Sequence, residues 1–198
     1  NYFHLYKNHP MHPSLLPKLR GPSPIRSAIL TDEKETGVSI MVLDVDMDHG
    51  PLLGQTTVQL DEWPPHAIEL ESILATEGGR LLAEILPQWL EGTLTAVEQD
   101  HTQATFCKML KKEQGLINFT DDAYANLLKI RAFEGWPGTY TFFERRGTRM
   151  RVQILDAHME GKTLVIDTVK PEGKNAMNYA DFLRSGAVPA QDLTQDTI

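Results

Sequence analysis

Two side chains in this 198-residue sequence stand out for the chemistry they could do. His12 opens the run His12-Pro-Ser-Leu-Leu-Pro-Lys-Leu-Arg-Gly-Pro-Ser-Pro24, and Asp48 lies in Asp44-Val-Asp-Met-Asp-His-Gly50. An imidazole titrates near neutrality, so a histidine held by a stiff loop beside a carboxylate fits general acid–base work. Residue type alone leaves plainer roles open: a histidine next to proline is also an ordinary loop residue, and an aspartate near glycine is also turn chemistry. Asp44, Asp46 and Asp48 hint at a calcium loop. The glycine that follows falls at the wrong spacing, however, and position twelve of such a loop is Gln55 rather than glutamate.

The elements needed to hold these residues can be read from pattern. Four prolines and a glycine between His12 and Pro24 exclude helix and central strand, because proline fixes φ and lacks an N–H; a long stiff loop remains. Ile25–Leu30 follows as a short helix with Pro24 in its first turn. Gly37–Leu43 is apolar and β-branched and predicts a buried strand; Gln55–Leu60 predicts a second. Apolar residues at helical spacing predict helices over Ala67–Leu74 and Arg80–Leu90, broken at Gly78-Gly79. Gly92–Thr105 lacks periodicity and reads as a linker. Asp121–Phe133 predicts an amphipathic helix capped by Thr120 or Asp121, with Tyr124, Leu127, Leu128 and Phe133 on its apolar face. Thr139–Glu144, Arg149–Leu155 and Thr163–Val169 predict strands, with hairpin turns at Gly147 and at Glu160-Gly161.

Composition narrows the class. With 41% hydrophobic and 23% charged residues the chain can bury a core and is not a disordered polymer. No apolar run approaches the ~18–20 residues of a membrane helix. Cys107 is the single cysteine, which excludes an internal disulfide and a cysteine-only metal cluster and suits a reducing cytoplasm. The net charge of -8 is uneven. Residues 1–107 carry 6 Lys/Arg against 15 acids, a balance of -9; residues 108–198 carry 13 against 12, a balance of +1. Between Lys108 and Arg151 there are 9 bases and 5 acids, a pattern that fits either a phosphate footprint or a solvated face.

Longer motifs carry a resemblance. His12-Pro-Ser-Leu-Leu-Pro17, Arg20-Gly-Pro-Ser-Pro-Ile25, Glu35-Thr-Gly-Val-Ser-Ile-Met41 and Met47-Asp-His-Gly50 together resemble the formyltransferases that use formyl-tetrahydrofolate. Arg131-Ala-Phe-Glu-Gly-Trp-Pro-Gly-Thr139 and Lys170-Pro-Glu-Gly-Lys-Asn-Ala-Met177 are similar to the members that act on methionyl-tRNA, more than to those acting on a sugar amine. The resemblance implies an α/β fold: the second half of a doubly wound, Rossmann-like formyltransferase domain at 1–91, a linker at 92–107, and a shortened OB-like β-barrel at 108–198 that contacts tRNA. It also implies that the first half of the doubly wound sheet precedes residue 1.

By that resemblance the protein is an enzyme of translation initiation and one-carbon metabolism, a monomer of the cytoplasm. Its partners would be formyl-tetrahydrofolate, as the formyl-donating cosubstrate, and methionyl initiator tRNA, with no metal. The methionyl amine would attack the formyl carbon through a tetrahedral oxyanion, with His12, Asp48 and an asparagine as the catalytic trio. The family's asparagine stands two residues before its histidine. Here that position is Pro10, and the nearest asparagine is Asn8, four before. Spacings of two and four along extended chain are about 6.6 and 13 Å, so Asn8 serves only if His9-Pro10 folds back. Ser14, Leu15, Leu16 and Pro17 are implied to lie against the folate, and Lys129, Arg131, Arg145, Arg146, Arg149 and Arg151 near tRNA phosphates. A degenerate chain that keeps only tRNA affinity, measurable as salt-dependent binding without turnover, is the non-enzymatic alternative.

Overall fold

The computed structural model describes residues 11–193, which separate into two compact units divided between Met109 and Leu110. In the first unit, strands β1 (Met11–His12), β2 (Thr36–Met41) and β3 (Leu52–Val58) form a sheet in that order, antiparallel at both pairings. All six residues of β2 are buried, as expected for an apolar run covered on both faces. Helix α1 (Pro24–Leu30) begins on its proline and buries Ile25, Ala28 and Ile29. Mixed α/β architecture follows the expectation. Among the described residues the first sheet has only antiparallel pairings.

Helix α2 corrects the sequence reading. Ala67–Leu90 is one continuous helix of 24 residues, packed on β2 and β3, and Gly78-Gly79 does not break it. Two interior glycines cost about 1 kcal/mol each relative to alanine. The stripe Leu70, Leu74, Leu81, Leu82 and Ile85 offsets this by burying one face. Gly78 sits within that stripe because nothing larger fits: a Cβ there would lie 1.8 Å from Met11 Sδ and 3.0 Å from Val38 Cγ1. Gly79 faces open space. Gly79→Ala is therefore expected to raise stability by about 0.5–1 kcal/mol, whereas Gly78→Ala lowers it. Paired denaturant melts check both signs.

The stretch read as a linker belongs to the first unit. Val97 and Leu52 exchange backbone hydrogen bonds at 2.7 and 2.9 Å, and Cys107 N–H donates to the Arg20 carbonyl at 2.8 Å. The first unit closes at Met109 rather than at residue 91.

In the second unit, helix α3 (Ala123–Ala132) is capped by Asp122, whose carboxylate accepts the Ala125 N–H at 2.8 Å, one residue later than expected. Its buried positions include Asn126, Ile130 and Ala132 as well as Leu127 and Leu128. Strands β4 (Thr139–Arg145), β5 (Thr148–Glu160) and β6 (Thr163–Pro171) make an antiparallel meander. The two-residue strands β7 (Met177–Asn178) and β8 (Val188–Pro189) flank it, in the order β7-β6-β5-β4-β8. The expected hairpin turns are present: Arg146 and Gly147 both take positive φ, 52° and 76°, and Gly161 takes 60°. The pairing register shifts around Leu155, a bulge that bends β5. Helix α4 (Tyr179–Arg184) adds Phe182 to the core. No pairing joins β7 to β8 among the described residues. The shortened barrel is thus an open five-stranded sheet, because its outer strands are two residues long and present too little backbone to close it. No helix is long and apolar enough to cross a membrane among the described residues.

Candidate active site

His12 ends β1, where pairing with Ser39 of β2 fixes its backbone beside the proline-rich loop. The loop is tied down by its own polar groups. Ser14 Oγ donates to the Lys18 carbonyl at 2.6 Å, Ser39 Oγ donates to the Ser14 carbonyl at 2.7 Å, and Gln55 Nε2 donates to the Leu16 carbonyl at 2.8 Å. Thr105 holds the far end, accepting the Leu19 N–H on Oγ1 at 2.9 Å and the Arg20 N–H on its carbonyl at 2.9 Å. Thr105, in the aperiodic stretch after α2, therefore braces the loop that carries the histidine.

The side chain of His12 is 7% exposed. Its Nε2 lies 3.0 Å from the Leu19 carbonyl oxygen. That oxygen can only accept, so in this orientation Nε2 carries the hydrogen and Nδ1 a lone pair. Asp48 Oδ1 is 3.6 Å from Nδ1, and Asp48 Oδ2 accepts the Gly21 N–H at 2.7 Å. Burial pushes the His12 pKa below its ordinary 6.5, ahead of the opposing pull of Asp48 and of the Leu19 carbonyl, and Arg20 adds to the lowering. The ring is neutral at neutral pH. On taking a proton at Nδ1 it would face a partner on each nitrogen. A buried base whose lone pair faces a carboxylate can collect a proton and hold it between the two.

Asp48 stands on a residue with φ of 52°, in the left-handed region that a non-glycine adopts at a cost of about 1–2 kcal/mol. Behind it, Gln99 and the buried Arg20 form a polar layer: Gln99 Oε1 accepts from Arg20 Nη2 at 2.7 Å, and Arg20 Nη2 also donates to His101 Nδ1 at 2.9 Å. The His101 ring stacks on His49 at 3.9 Å, and His49 Nδ1 lies 2.6 Å from Asp44 Oδ2. Arg20 was visible only as part of a motif. Gln99 lies in an aperiodic stretch, where nothing local marks it.

The remaining expected residues divide by what they already hold. Ser14 and Leu16 are buried and anchor the loop, while Leu15 and Pro17 are half-buried and keep apolar surface that a planar ligand could cover. Asn8 lies outside the described residues. Lys129 Nζ donates to the Leu116 carbonyl at 3.3 Å, and Arg131 pairs with Asp156 at 3.0 Å and donates to the Ala157 carbonyl at 3.0 Å. Arg149 lies over the Phe142 ring at 4.2 Å and Arg151 over the Tyr140 ring at 3.8 Å, stacking that flattens each guanidinium on the sheet. Arg145 and Arg146 stand at the β4–β5 turn. No three His, Cys, Asp or Glu side chains are grouped to hold a metal among the described residues.

The sequence that carries this buried imidazole–carboxylate pair and the sheet unit after it matches a defined family. The formyl transferase pattern covers residues 8–86 and the formyl transferase C-terminal domain pattern covers residues 109–163. The chain belongs to the formyl transferase family. Similar curated proteins include methionyl-tRNA formyltransferases: that of Chloroflexus aggregans is 46% identical over 144 residues, covering 72% of this chain and 45% of that protein. The Roseiflexus sp. enzyme is 43% identical over 198 residues, covering 88% and 59%. The chain spans about half the length of the relatives it matches. Two solved structures share the fold. Methionyl-tRNA formyltransferase from Clostridium thermocellum has a TM-score of 0.61 at 21% identity, covering 85% of this chain and 70% of that one. The N-formyltransferase of Helicobacter canadensis, solved with folinic acid and dTDP-3-aminofucose, has a TM-score of 0.65 at 20% identity, covering 78% and 55%.

Proposed function

We propose that this protein transfers a formyl group from formyl-tetrahydrofolate to the amino group of methionyl initiator tRNA, as a monomer in the cytoplasm. The observation that carries the reading is the buried His12–Asp48 pair, in a chain whose similar curated relatives bear that activity's name. Curated relatives at 46% and 43% identity carry the methionyl-tRNA name, whereas the N-formyltransferase solved with dTDP-3-aminofucose shares the fold alone, so the sugar-amine reading is not favoured.

Formyl-tetrahydrofolate supplies an activated one-carbon carbonyl, and every other task falls to this chain. Leu15 and Pro17 offer the apolar surface for the folate, with Ser14 and Leu16 holding them in place. His12 Nδ1 receives the proton that the methionyl nitrogen releases as it bonds to the formyl carbon, and later returns it to the leaving nitrogen. Asp48 orients the ring and stabilises the imidazolium during that interval. Asn8 would donate an amide hydrogen to the developing oxyanion. Arg145, Arg146, Arg149 and Arg151 face the tRNA phosphates directly. Lys129 and Arg131, already bonded within their unit, add positive potential.

The test offers labelled formyl-tetrahydrofolate together with charged methionyl initiator tRNA and an amino-sugar nucleotide. Label is expected on the tRNA's methionine. Label on the sugar alone, or tRNA binding without transfer, would overturn the proposal.

A further inference from the structure

We infer that Gln99 is a positioning residue for the His12–Asp48 pair, its carboxamide fastening the backbone that carries Asp48 to the loop that carries Arg20 and Gly21. The inference rests on the reading of His12 and Asp48 as the formyl-transfer pair.

Gln99 is 5% exposed, and its amide is fully used. Nε2 donates to the Asp48 carbonyl at 3.0 Å and to the Gly50 carbonyl at 2.7 Å. Oε1 accepts from Arg20 Nε at 3.3 Å and from Arg20 Nη2 at 2.7 Å. Two donors and two lone pairs therefore meet two acceptors and two donors, a match that also sets which end of the amide points where. The two loops joined in this way meet again at the site: Gly21, next to Arg20, donates its N–H to the Asp48 carboxylate at 2.7 Å.

The arrangement answers a mechanical need. Asp48 takes a positive φ without being glycine, so its backbone must be held there by its surroundings. Gly50 gives the turn no slack, since a Cβ on it would lie 1.9 Å from the Val42 carbonyl oxygen. The side chain that grips both carbonyls flanking this turn is Gln99. No other side-chain type of this length does the same job. Glutamate would still accept from Arg20, but it has no hydrogens for the two carbonyls and would repel them. Methionine matches the length and offers neither function. If Asp48 relaxes, its carboxylate leaves both Gly21 N–H and the His12 ring.

The experiment compares the full chain with Gln99→Glu and Gln99→Met by amide hydrogen exchange and by steady-state formyl transfer. The Gly21 amide is expected to exchange about tenfold faster in both variants, while amides within α2 keep their rates. With formyl transfer as the readout, kcat is expected to fall about tenfold, with KM for the folate and for the tRNA within about twofold. A merely structural role would raise exchange across the whole unit and would spare kcat in Gln99→Glu, which keeps the Arg20 partner. Unchanged Gly21 exchange in both variants overturns the inference. If the unaltered chain transfers no formyl group, the functional reading fails, while Gly21 exchange still decides the positioning role. Should neither variant fold, the unaltered chain decides it: both Gln99 carboxamide hydrogens are expected to be protected, and rapid exchange of either overturns the inference.

Discussion

His12→Ala is expected to lower formyl transfer by about 10³-fold or more while leaving the chain folded. Removing a positioned general base alone typically costs 10²–10⁴ in rate, roughly 3–5.5 kcal/mol. Here the loss falls toward the upper end, because Asp48 would then face the reacting centre without the ring that makes its charge useful. The structural cost is smaller: the half-buried Leu19 carbonyl loses its 3.0 Å partner but keeps the Cys107 thiol at 3.6 Å, a penalty of about 1 kcal/mol. Asp48→Asn tests the same pair from the other side. The amide keeps the shape, but it cannot stabilise an imidazolium, and a drop of 10³ or more is expected. Labelled transfer to methionyl-tRNA, alongside a thermal melt of each variant, checks both. Near-normal turnover in either variant would remove the pair from the chemistry.

The pH profile carries an independent sign. Burial lowers the His12 pKa below its ordinary 6.5, so the ring stays neutral, and able to accept a proton, somewhat further into acid than a solvent-exposed histidine. The acid limb of kcat/KM is expected below that ordinary value. In Asp48→Asn the limb moves lower still, because the carboxylate that favours the charged ring is gone. Stability follows the same linkage. The unfolded chain binds this proton more readily than the folded one, so the His12 contribution is fully present above the ordinary value and is lost as pH falls through the lowered one.

Much of the fold was legible because it is local. The apolar, β-branched run Gly-Val-Ser-Ile-Met predicts β2, and Gly147 and Gly161 announce the meander because their turns need positive φ. What escaped was decided by partners distant in sequence. Gly78 looks like a helix break until Met11 and Val38 are seen to need its missing side chain. Residues 92–107 look like a tether, since the contacts that fix them to the unit reach back dozens of residues: Val97 to Leu52, Gln99 to Asp48, Thr105 to Leu19. The cap of α3 slipped by one residue because Thr120, Asp121 and Asp122 can all cap a helix, and only the packed position of the helix chooses among them. His12 and Asp48, 36 residues apart in the sequence, come within 3.6 Å of each other. The lowered pKa of the histidine has no local signal, because it arises from burial created by the whole unit.

Phe143→Ala is expected to be the most destabilising single change in the second unit, at about 3–5 kcal/mol. The side chain is 0% exposed on β4. It meets Phe182 edge-on at 5.0 Å, and Phe119 and Tyr179 at 6.2 Å each, so the loop before α3, the sheet and α4 share one ring. Truncation leaves a cavity whose walls belong to different elements and cannot close around it, which places the cost near the upper end. Phe142, its neighbour, points to the other face of the same strand and lies under the Arg149 guanidinium. Phe142→Ala removes stacking and half-buried area only and is expected to cost about 1 kcal/mol. The two substitutions delete the same atoms from adjacent residues, so a difference between their urea midpoints at constant m reports the face each ring occupies rather than phenylalanine content. Equal losses would mean that the alternation along β4 is wrong. In that case Tyr140 and Phe142 would no longer be the floor on which Arg151 and Arg149 are laid out, and the proposed phosphate-facing surface would fall with it.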